Sequence, residues 1–68
     1  MEHIDVSEQS RLFRVGAEKY GGSFVKKLAD ALRSADPSNT QRIKEAFPEY
    51  WTKYVRVGKQ MEDKDVHL

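Results

Sequence analysis

The chain has 68 residues, no cysteine and a net charge of +1, with 38% hydrophobic and 34% charged residues. That length allows one domain, which buries only about 60% of the surface of its unfolded form, and without cysteine no disulfide or thiolate-bound zinc can staple it. No apolar run approaches the roughly 20 residues of a membrane span, the opening MEHIDVSEQS is acidic and polar, unlike a secretory leader, and the lack of cysteine fits a reducing cytoplasm.

A first helix is expected from Asp5 or Ser7. Asp5 stands three residues before Glu8, as in a capping box. Leu12, Phe13, Gly16, Ala17 and Tyr20 then recur at helical spacing, and Val15 falls off that stripe, between Arg11 and Lys19. Gly21-Gly22 ends the run, because glycine tolerates the left-handed conformation of many helix stops. Ser23 is placed to cap a second helix. In it Phe24, Val25, Leu28, Ala29, Leu32 and Ala35 form one stripe, with Lys26, Lys27, Asp30, Arg33 and Ser34 opposite.

Asp36-Pro37 makes the next break. A residue before proline is pushed away from helical geometry; Asp36 is also a good N-cap, and Pro37 suits a first helical position. The third helix, from about Pro37 to Ala46, has only Ile43 and Phe47 as large apolar residues. Pro48 opens a fourth for the same reason. On its wheel Phe47, Tyr50, Trp51, Tyr54, Val55, Val57, Gly58 and Met61 share an arc of about 160°. The helix therefore continues through Gly58 to Met61, and the periodicity fails in EDKDVHL. Both ends, about residues 1–5 and 62–68, are expected to be flexible.

No stretch alternates with period two. The expected fold is all-α, three to four short amphipathic helices in a compact bundle with very short turns. Its expected core is Phe13, Tyr20, Phe24, Leu28, Leu32, Ile43, Phe47, Trp51 and Tyr54. The aromatics of AFPEYWTKY, residues 46–54, thus read as core rather than as a platform for bases or peptides. Tyrosine and tryptophan seldom bury their polar tips without partners, so one edge of this cluster is expected at the surface, near Lys53 or Arg56. Gly16 and Gly58 lie at the centres of their stripes, where a missing side chain admits another backbone or a large ring such as Trp51 or Phe13. The competing view of Gly58 is a C-terminal stop.

Catalytic chemistry has little to build on. His3 and His67 stand near opposite ends, without cysteine, so no metal or cofactor site is expected. The serines read as caps or surface residues without a histidine base, and Glu18, Asp30, Glu45 and Glu49 lie on polar faces. An enzyme is not expected. KYGGSF offers a helix N-terminus to an anion at Ser23, with Lys26 or Lys27 nearby, but it lacks the spacing of a phosphate-binding loop and reads first as a turn.

Charge is unevenly spread. Residues 1–10 carry Glu2, Asp5 and Glu8 and no cation, residues 11–59 carry eleven Lys or Arg against five Asp or Glu, and residues 60–68 return to acidic. A basic body suits an acidic partner or nucleic acid. Lys26, Lys27, Arg42, Lys44, Lys53 and Arg56 are the candidate contacts. Ser38, Asn39, Thr40, Gln41 and Arg42 begin a short helix and are candidates to face base edges. Helices two and three have roughly helix-turn-helix proportions, but Arg33 and Pro37 stand where that motif has a small residue and a turn glycine.

Gly21-Gly22-Ser23-Phe24, Leu28-Ala29, Ala35-Asp36, Asn39 and Ala46-Phe47-Pro48-Glu49-Tyr50 together resemble short helical proteins encoded in bacteriophage and prophage genomes. The resemblance spans about half of the chain and transfers no site residue. It implies a bacterial cytoplasm and a role in phage–host biology, where such small proteins bind a host protein or nucleic acid; the leading expectation is a non-catalytic protein that binds a host protein. The alternatives are nucleic-acid binding through the basic body and binding of a small phosphorylated ligand. No membrane contact is expected, and self-association as a homodimer is favoured weakly.

Overall fold

A computed structural model describes residues 5–66, with side chains through Lys64. Four helices follow one another, α1 (Val6–Tyr20), α2 (Ser23–Ser34), α3 (Pro37–Ala46) and α4 (Pro48–Val66). Among the described residues there is no strand. The Cα radius of gyration is 11.5 Å, near the roughly 11 Å expected of a compact chain of this length.

The helix starts follow local chemistry. The Asp5 carboxylate accepts from the Glu8 backbone N–H at 2.9 Å, and Asp36 accepts from the Asn39 N–H at 2.8 Å with Pro37 in the first turn. Each satisfies a donor that the helix itself cannot. Two expectations at the α1–α2 junction need correction. Gly21 has φ −77° and ψ 149°, and Gly22 is likewise extended, so neither uses the left-handed region. Gly22, not Ser23, is the N-cap of α2, and no side chain caps it. The chain turns there by leaving the helix for extended backbone.

The dominant packing is α1 against α4. A Cβ on Gly16 would lie 2.6 Å from the Tyr54 carbonyl oxygen and 3.0 Å from the Gly58 nitrogen, and one on Gly58 would fall onto the Leu12 carbonyl. The two helices therefore cross antiparallel, backbone against backbone, at paired glycines. Close approach was expected here, but the partner is main chain and not the ring of Trp51 or Phe13. Nor is Gly58 a stop, since α4 runs to Val66, past the expected end at Met61.

Around this crossing lies the core: Leu12, Phe13, Ala17, Val25, Ala29, Leu32, Trp51 and Tyr54 are all buried. Phe13 stacks on Trp51 with centroids 5.5 Å apart and meets Tyr54 edge-on at 5.7 Å. The Trp51 indole N–H donates to Gln9 Oε1 at 2.8 Å, so its one polar atom is answered inside the chain. Leu28, Ile43 and Val55 are partly buried against this cluster; Phe47 and Val15 are also half-buried.

Tyr20 and Phe24 are not core residues. Tyr20 is 63% exposed and Phe24 49%. Tyr20 ends α1, one turn beyond Ala17, the last residue of that helix to be covered. On α2 the buried line is Val25, Ala29 and Leu32, which turns Phe24, about 100° round the helix from Val25, to its flank.

Candidate interaction surface

The seven rings fall into different environments. Phe13, Trp51 and Tyr54 close on one another inside the chain. Phe24, Phe47 and Tyr50 form a second cluster. Phe24 meets Phe47 at 5.5 Å with planes at 70° and Tyr50 at 5.8 Å with planes at 56°, while Phe47 and Tyr50 lie 6.4 Å apart at 46°. Tyr50 is 41% exposed and Phe24 more so. Local structure builds this cluster. Phe47 is the link between α3 and α4 and caps α3 through its N–H to the Ile43 carbonyl. Pro48 restarts the helix at once, which sets Tyr50 one turn on, beside Phe24 at the start of α2.

The antiparallel register of α1 and α4, Leu12 beside Gly58 and Gly16 beside Tyr54, carries the exposed Tyr20 toward this same end. Lys27 and Lys53, both exposed, follow Phe24 and Tyr50 by three positions and so stand one turn along the same faces. The Lys53 Nζ also lies 5.4 Å from the Tyr54 ring centroid. The three rings are tilted against one another, with Lys27 and Lys53 one turn along. A flat platform for stacked bases would need parallel, open faces, which these planes do not offer.

The remaining cations are distributed over several faces. Lys44 and Arg56 line one shallow groove together with Gln9, Trp51, Thr52, Val55 and Lys59, and no carboxylate lines it. Arg42 lines a different groove, with Ala31, Ile43 and Phe47. Lys26 is exposed on α2. Of the polar run at the start of α3, Ser38, Asn39 and Arg42 are exposed. Thr40 is buried, and the Gln41 amide donates to Glu45 at 2.9 Å. Thr40 therefore cannot face a base edge, because its side of α3 turns in toward α1.

Two features were not anticipated. One is an ion-pair network in which the Arg11 guanidinium binds Glu8 on its own helix and Glu62 on α4. Hydrogen bonds from Arg11 hold both glutamate carboxyls below their ordinary range, and the two carboxylates raise Arg11 further. The other is a cavity of mixed lining beside Ser10, Arg14 and Thr40. Among the described residues no three His, Cys, Asp or Glu side chains gather as a metal site, and His3 and His67 lie outside those residues. No helix among them is long and apolar enough to cross a membrane. No protein-family model, curated protein or solved structure matches the chain.

Proposed function

We propose that this protein is a non-catalytic binding module that takes a protein partner on the Phe24, Phe47 and Tyr50 cluster. The observation that carries this is the division of the aromatics. A core of Phe13, Trp51 and Tyr54 is already closed, yet a second cluster of three rings stands partly in water at one end. Exposed aromatic clusters of this kind are where binding energy concentrates in protein interfaces. Lys27 and Lys53 beside the rings suit a partner segment that carries apolar and acidic residues. The bacteriophage-like sequence pattern points to a bacterial host protein as that partner.

A second reading is nucleic-acid binding, favoured by the groove that Lys44, Arg56 and Lys59 share. Trp51 in that groove is buried and offers no open ring face, so phosphate contacts would carry the affinity. Such binding weakens steeply with salt as counterions are released, and a protein contact anchored by rings does so much less.

The test is capture from bacterial lysate, with and without nuclease, using the wild type and Phe24→Ser/Tyr50→Ser. A protein retained after nuclease treatment by the wild type and lost by the double variant supports the proposal. Retention that vanishes with nuclease, or that the double variant keeps, contradicts it. Sedimentation of both proteins over a range of concentrations tells whether a second copy of the chain takes the same face, because association through it is lost in the double variant.

A further inference from the structure

The cavity lies where α1 meets the end of α2 and the start of α3. It has a volume of about 470 Å³, within the usual range of roughly 300–1,000 Å³ for small-molecule sites. Val6, Ser10 and Arg14 supply one wall, spaced four residues apart on α1. Leu32, Arg33, Ala35 and Pro37 supply the second, and Thr40 and Gln41 the third. Its lining mixes apolar side chains with hydroxyl and guanidinium groups.

One buried polar atom here is unsatisfied, and two hydroxyls beside it have no partner within the described chain. Ser10 and Thr40 are each only 6% exposed, and neither hydroxyl bonds to another described residue. Arg14 Nε is buried and has no hydrogen-bond partner. Buried polar groups are normally paired, and leaving one unpaired costs about 1–3 kcal/mol. One such atom, on a guanidinium that lines the cavity beside two hydroxyls without protein partners, marks a place for a ligand.

Charge decides the class of ligand. Both charged residues lining the cavity are arginines. Arg33 is engaged by Glu18, whereas Arg14 has no carboxylate partner among the described residues. Carboxylates close by in the chain are committed elsewhere, Asp5 to the Glu8 N–H and Asp36 to the Asn39 N–H. We infer that this cavity binds a small ligand with an oxyanion head, a phosphate or a carboxylate, and a compact apolar body. The Arg14 guanidinium and the Ser10 and Thr40 hydroxyls donate to the head, and Val6, Leu32, Ala35 and Pro37 cover the body. The site is separate from the Ser23 end of α2, where sequence alone would have looked for an anion.

The experiment is an NMR titration at constant ionic strength with inorganic phosphate, phenyl phosphate and benzoate as separate probes. The result expected is a saturating shift of the Arg14 Nε–H signal and of the Ser10 and Thr40 amides with phenyl phosphate, benzoate or both. Which of the two saturates identifies the head group, and inorganic phosphate shows what the apolar body adds. Arg14→Gln should weaken binding about tenfold or more, the size of a lost charge-assisted hydrogen bond. Thr40→Val preserves the shape and should weaken binding while leaving the melting temperature equal or higher, so it serves even where the Arg14 variant fails to fold. Shifts that stay linear with all three probes overturn the inference, as does unchanged affinity in Thr40→Val.

Discussion

Trp51 illustrates how single residues settle this fold. Its ring stacks on Phe13 and its N–H is met by Gln9, 42 positions earlier. The ring was legible in the helical stripe; the glutamine was not, because nothing local marks a polar residue as the partner of a distant indole. Gln9→Ala should destabilise the protein by about 1 kcal/mol, the usual net worth of such a bond. Denaturant unfolding followed by the fluorescence of Trp51 reads this directly, and an unchanged midpoint would show the bond to be dispensable. Gly58 makes a stronger case. Alanine there gains up to about 1 kcal/mol of helix propensity. Its methyl must nevertheless displace the Leu12 carbonyl, and backbone overpacking costs roughly 1–3 kcal/mol or more. The net expectation for Gly58→Ala is destabilisation and a lower melting temperature. The stripe position of Gly58 betrayed a close approach, but only the crossing of α1 and α4 shows that the neighbour is backbone.

At the scale of elements, helix boundaries were legible where a side chain sets them. Asp36 and Pro37 start α3 and Pro48 starts α4. Asp36→Ala should cost about 1 kcal/mol by removing the cap, seen in thermal unfolding by circular dichroism. The far end of α4 was not legible, because Glu62 and its neighbours lack an apolar period. Arg11 of α1 reaches this end through its ion pair with Glu62. Glu8 and Glu62 bind protons more weakly in the folded chain than in the unfolded one, so acid favours unfolding. This contribution is fully present above the ordinary glutamate pKa of about 4.3 and fades as pH falls below it. Arg11→Gln should flatten that acid limb in a series of urea midpoints from neutral to acid pH. An identical pH profile in the variant would remove the network from the account.

For the whole molecule, the sequence shows which face of each helix is apolar but not how much of it a neighbour covers. One core was expected around nine residues. The fold instead packs Phe13, Leu32, Trp51 and Tyr54 with smaller residues such as Ala17, Val25 and Ala29, and leaves Tyr20 and Phe24 at the surface. Val25, Ala29 and Leu32 are the line that α2 turns inward, which leaves Phe24 on its flank. There Phe24 joins Phe47 and Tyr50 in the cluster proposed to meet a partner, and the cavity at the α1–α2–α3 junction likewise follows from packing that no single stripe encodes.

The most direct measurement compares unfolding free energies of Phe24→Ser/Tyr50→Ser and Phe13→Ala. With the outer rings surplus to the core, the double variant should keep a cooperative transition and lose less than about 2 kcal/mol, against roughly 3–5 kcal/mol for Phe13→Ala. A double variant as damaged as Phe13→Ala would make the outer rings part of the core and contradict the assignment of that surface to binding.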